Sequence, residues 1–147
     1  MLLMGWLNKG HMMDTAIVEI MGGTIAERGE FARTVANATR LRAVVLHGGH
    51  VPSTFNASAD TRAVYAAAML VDSVHAIQRL NTYDVAILYD DIPGSSSKVC
   101  SVVDEMKRFV RGFVKTRMRI DGEGDNGELN VSGTPGIAAQ VVDKLFG

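Results

Sequence analysis

The chain has 147 residues, 47% of them hydrophobic and 21% charged, with a formal net charge of −1. That length supports one domain with a sizeable core, and the balanced charge gives no field of one sign to hold a polyanion, which excludes nucleic acid as an expected partner. The single Cys100 cannot close an internal disulfide and no Cys/His spacing matches a zinc site, so the expectation is a cytoplasmic protein with no metal and no cofactor.

The opening MLLMGWLNKGHMMD is apolar only from Met1 to Leu7, too short for a signal-peptide core or a membrane span. No cationic region precedes it. Residues 1–14 therefore read as an N-terminal arm, with Met4, Met12 and Met13 suggesting an extended or engineered start, and 15–147 as a single domain with no membrane partner.

From Thr15 the pattern becomes regular. TAIVEI is a short run rich in β-branched residues and predicts a strand, turned by Gly22-Gly23. A helix is predicted from about Glu27 to Thr39, with Phe31, Val35 and Ala38 on one face. RAVVLHGG predicts a second strand, again ending in two glycines, and HVPSTFNASAD is a loop of turn formers in which Pro52 rules out a central strand. Ser58 or Asp60 caps a long helix reaching about Leu80, apolar almost all round and so expected to be buried against a sheet or a partner.

DVAILY predicts the third strand, with DDIPGSSS as its exit. Lys98 to about Met118 reads as one amphipathic helix. Val99, Val102, Val103, Met106, Phe109, Val110 and Phe113 share a face, while Asp104, Glu105, Lys107, Arg108 and Arg111 point away. DGEGDNGE is a polar loop, LNVSG a weak fourth strand, and Thr134-Pro135 opens a last helix with a cap and an N1 proline. Strands that are apolar runs, alternating with helices, predict an α/β three-layer α/β/α sandwich with a mainly parallel sheet, Rossmann-like or flavodoxin-like.

In such sheets ligands bind at the carboxyl ends of the strands. Those ends are MGGT, HGGHVPST and YDDIPGSSSK, rich in glycines and hydroxyls as a polar pocket requires, although βα turns use glycine in any case. His47, His50, Asp60, Asp90 and Asp91 could cluster at the strand ends around a divalent cation, but adjacent Asp90 and Asp91 in a strand face opposite sides and could not both chelate, so no metal is expected. Cys100, among valines, reads as a small buried hydrophobe. Arg108, Arg111, Lys115, Arg117 and Arg119 read as a solvated basic helix end.

GGTIA directly after the first strand resembles the signature of bacterial-type L-asparaginases and glutaminases. GGHVPSTFNASADTRAVYAAA is similar to a second family segment through Gly48, Pro52, Ser53, Thr54, Ser58, Ala59, Asp60, Tyr65 and Ala67. VAILYDDIPGSSSK resembles a third, with Asp91, Gly94 and Lys98 as counterparts. The resemblance covers roughly Ala16 to Val99 and implies a shortened N-terminal domain of that family. It implies Thr24 as nucleophile and Lys98 as base, with Gly49 N–H a donor to the oxyanion and Gly23, Gly48, Gly49, Ser53 and Asp91 around a small amide or carboxylate.

The family's second threonine–aspartate stretch, its lid and its C-terminal domain have no counterpart, so hydrolysis of asparagine or glutamine is expected to be slow or absent. The alternative reading is a non-catalytic oligomerising or structural protein, such as one carried by a phage or mobile element. In both readings the partner is a second copy of the chain, most simply in a dimer, through the helix from Asp60 to Leu80 or the Val99–Phe113 face.

Overall fold

A computed structural model describes residues 14–93, 98–122 and 127–147, with residues 98–100 as backbone. The arm, Gly94 and the side chain of Lys98 thus lie outside the described residues, apart from Asp14 at the arm's end. The elements run β1 (Ala16–Met21), α1 (Ile25–Ala38), β2 (Ala43–Gly48), α2 (Ala59–Leu80), β3 (Val85–Asp90), α3 (Lys98–Arg111), β4 (Val114–Arg119), β5 (Glu128–Asn130) and α4 (Pro135–Phe146). The strands form one all-parallel sheet in the order β2-β3-β1-β4-β5.

Each central strand alternates its side chains between two cores, which makes the fold an α/β/α sandwich. Val18 and Ile20 of β1, with Ile87 and Tyr89 of β3, pack against Phe31, Ala32 and Val35 of α1 and Ala138, Ala139 and Val142 of α4. Ile17, Ala86 and Leu88 face the other way, onto Ala63, Ala66, Leu70 and Val74 of α2 and Val103 and Val110 of α3. Both faces are covered, so β1 and β3 read as apolar runs.

The helix ends follow from local chemistry. Ser58 caps α2 by accepting from Thr61 N–H at 3.2 Å, and Asn81 closes it in the left-handed region at φ 50°. Helix α1 starts two residues before the expected Glu27, because Thr24 is its cap. Ala38 is exposed, and Ala32 takes its place on the buried face. Thr134 precedes Pro135 at the start of α4 but makes no side-chain cap bond.

The expected helix from Lys98 to Met118 needs correction. It ends at Arg111, where Gly112 N–H bonds to the carbonyls of Arg108 and Phe109, and the chain re-emerges as β4. That strand pairs with β1 on one side and β5 on the other, so its amides are satisfied as a ladder. A bulge opposite Ile17/Val18 resets its register, setting Arg117 across from Glu19 and Met118 across from Ile20. Lys115, Arg117 and Arg119 are therefore strand residues, not a helix end. The expected fourth strand is the fifth, and it pairs in parallel with β4 over Arg117–Arg119.

Candidate functional site

The sheet order decides where a site can form. Strands β1 and β3 are neighbours, yet β1 leads to α1 on one face and β3 to α3 on the other. Where adjacent parallel strands send their chains to opposite faces, a crevice opens at their carboxyl ends. A cleft of about 360 Å³ lies there, lined by Glu19, Gly22, Arg28, Asp90, Asp91, Lys107 and Arg111 with Ile20, Met21 and Ile92.

Arg28, one turn into α1, staples the two strand exits. It donates to the carbonyls of Gly22 and Gly23 at 3.2 and 2.9 Å and to that of Asp90 at 3.1 Å. Asp90 accepts from Ile92 N–H at 3.1 Å, and Lys107 Nζ stands 3.3 Å from the same carboxylate oxygen while donating to Ile92 O at 2.8 Å. The Asp90 and Lys107 side chains are only 10% and 14% exposed, so this is a largely desolvated pair. Arg111, one turn further along α3, is exposed and borders the same cleft.

Glu19 is the anomaly. It occupies the middle of a strand buried on both faces, and its Oε1 has no hydrogen-bond partner among the described residues. Arg117 Nε, directly across on β4, stays at 3.9 Å, beyond hydrogen-bond reach. Burial pushes the Glu19 carboxyl above its ordinary range. Arg111 opposes this, Asp90 adds to it, and Arg117 and Lys107 oppose it.

The residues anticipated from the sequence fall into distinct places. Thr24 caps α1 in a capping box: Glu27 N–H donates to its Oγ1 at 3.1 Å and its own N–H donates to Glu27 Oε1 at 2.9 Å. The bond from Thr24 N–H, followed by the nearby Thr24 hydroxyl, holds the Glu27 carboxyl below its usual range. The double glycine before it, at φ +86° and +64°, admits the carboxylate of Asp121: a Cβ on Gly22 would stand 2.7 Å from it, and Gly23 N–H donates to it at 3.4 Å. The space those glycines clear is filled from within the chain.

At the end of β2, Gly48 is buried where a Cβ would meet Asp90 Cβ at 2.8 Å and Leu70 Cδ2 at 2.9 Å. Gly49, at φ +107°, lies against the Asp91 carboxylate. Gly49 and Asp91 also line a second cleft of about 220 Å³ with Val51, Arg62 and Ala63, so Asp91 borders both. Ser53 is exposed in the turn closed by Phe55 N–H to Pro52 O at 3.0 Å.

Lys107 corrects the expectation that it points to solvent. It lies on the helix stripe of Val103 and Val110, four residues after one and three before the other, and that spacing is the signal that could have found it. Glu19 had a comparable signal, a lone charge inside an apolar strand. Arg28 and Arg111 had none. Among the described residues no three His, Cys, Asp or Glu side chains gather as a metal site. Neither a protein-family model nor a curated protein sequence matches the chain.

Proposed function

We propose that this chain is an asparaginase-like amidohydrolase scaffold that holds a small carboxylate or amide in the crevice between β1 and β3 and turns amides over slowly or not at all. The observation that carries the reading is the cleft itself: about 360 Å³ of open space at the switch between faces, with Lys107 and Arg111 at its side. A small anion fits such a place because a guanidinium supplies paired donors and the neighbouring strand ends supply a polar floor. The Thr24 hydroxyl already serves a helix cap, which supports binding over turnover.

The test is calorimetric titration with succinate, beside ammonia release from asparagine and glutamine by wild type and Thr24→Ala. Binding that weakens in Arg111→Gln, with no turnover dependent on Thr24, is the expected result. Absence of succinate binding refutes the reading. Turnover near ~10 s⁻¹ that vanishes in Thr24→Ala would establish a complete hydrolase instead.

The rival reading, a non-catalytic oligomer, draws on Tyr65, Met69, Val102 and Phe109, which are 39–48% exposed on α2 and α3. Sedimentation of the purified chain distinguishes it, since a monomer at micromolar concentration removes its basis.

A further inference from the structure

The charges around the crevice are close to balance before any ligand enters. Arg28, Lys107 and Arg111 face Glu19, Asp90 and Asp91 across one cleft, and Arg117 of β4 stands behind Glu19. Two of the cations are already committed. Arg28 is spent on three backbone carbonyls, and Lys107 on Asp90 and the Ile92 carbonyl. The two groups with capacity left are Arg111, exposed at the border, and Glu19, 4% exposed with an oxygen that no donor of the described residues reaches.

An anion that settles beside Arg111 places its charge in the cleft that Glu19 lines. Two negative charges in a low-dielectric crevice repel strongly, and the arrangement relaxes when one of them takes a proton. The Asp90 carboxylate is already engaged, accepting from Ile92 N–H and paired with Lys107. Asp91 is half exposed and screened by water, with His47 Nε2 at 3.9 Å. Glu19 is buried and has a vacant acceptor. Burial already biases it toward the neutral acid, so the proton goes there.

We propose that the crevice is a proton-coupled oxyanion site, in which an anion held by Arg111 enters together with one proton that Glu19 takes up. The proposal rests on the crevice being the ligand site, and it adds the coupling and the ligand's class: a compact oxyanion, bound more tightly as pH falls. Linkage fixes the size of the effect. Uptake of one proton makes affinity fall up to tenfold per pH unit between the midpoints of Glu19 in the free and the bound protein, and the slope vanishes below the first and above the second.

The probe is sulfate, whose own charge does not change over the range used. Calorimetric titrations between about pH 5 and pH 8.5, in buffers of differing ionisation enthalpy, count protons taken up per sulfate bound. Glu19→Gln mimics the neutral acid, so its affinity should be independent of pH and its proton uptake should vanish. In wild type, the carbon-13 carboxyl signal of Glu19 followed against pH, with and without sulfate, should show its midpoint moving up on binding, whatever the variant does to folding. Sulfate binding with no proton uptake, or with uptake unchanged in Glu19→Gln, overturns the proposal and leaves the crevice as a ligand site. Succinate binding without sulfate binding does the same, whereas failure of both anions removes the site as well.

Discussion

Thr24 offers the sharpest test, because a helix cap and a nucleophile make different demands on one side chain. Thr24→Ala removes the acceptor that Glu27 N–H reaches at 3.1 Å and leaves the reverse bond, from Thr24 N–H to Glu27 at 2.9 Å, in place. One orphaned N–H at an exposed helix start costs about 1 kcal/mol, within a range of roughly 0.5–2. The loss is felt globally, since α1 carries Phe31, Ala32 and Val35 into the core. For a chain of this size it lowers Tm by about 2–4 °C per kcal/mol. Thr24→Ser and Thr24→Asn both restore a capping acceptor, and asparagine does so without a hydroxyl. Thermal unfolding followed by circular dichroism should therefore place wild type, Ser and Asn together and Ala below them, with faster amide exchange at Glu27 in Ala alone. Ala melting with wild type, or Asn melting with Ala, would refute the capping argument.

Four further outcomes follow from the same contacts. Glu19 has a folded pKa raised above its ordinary value of 4.5, so its contribution is fully present below that value and is lost as pH rises through the folded one; urea midpoints of Glu19→Gln should hold steady over that window while wild type declines. Glu27 is shifted the other way, so its contribution is present above 4.5 and lost as pH falls through the folded value, and Glu27→Ala should flatten that acid-side slope. Lys107→Met strands the Asp90 carboxylate in a largely buried setting and should cost about 3 kcal/mol by urea unfolding; a loss under ~1 would show the pair to be solvent-screened. Gly49→Ala should cost about 1–3 kcal/mol through its φ of +107°, with the Asp91 carboxylate free to swing aside, and Gly48→Ala a similar amount through its contacts with Asp90 and Leu70, so only the Gly48 penalty should shrink when Leu70 is also made smaller.

Much of this architecture was legible because local and tertiary signals agree. Apolar runs marked β1, β2 and β3, and of the two caps open in the sequence, Ser58 and Asp60, it is Ser58 that starts α2. Strand β4 was not legible: Phe113 and Val114 extend the apolar stripe of α3 far enough to pass for another helical turn, and only Gly112 marks the break. What makes Val114–Arg119 a strand is β1 on one side and β5 on the other, which no local window contains. The site divides the same way. The strand ends at Gly49 and Asp91 could be named from the sequence, and the structure sets them in contact. Glu19, Arg28, Lys107 and Arg111 meet only because β3 slots in beside β1, so their grouping is a property of strand order.

That strand order also governs how the chain acquires its shape. β1 and β2 are consecutive in sequence but share no hydrogen bonds, since β3 lies between them. A growing chain that has emerged only as far as Leu80 holds two strands whose partner has not yet been made, and α1 has no complete sheet to cover. Val85–Asp90 completes both ladders, and pairing it with β1 closes a loop over the whole stretch between the first and third strands, an entropy cost that local pairing would not carry. Until then β1, whose side chains are almost all buried in the finished fold, has both edges unpaired, and a bare apolar strand of that kind is the feature of a partly made chain most open to mispairing.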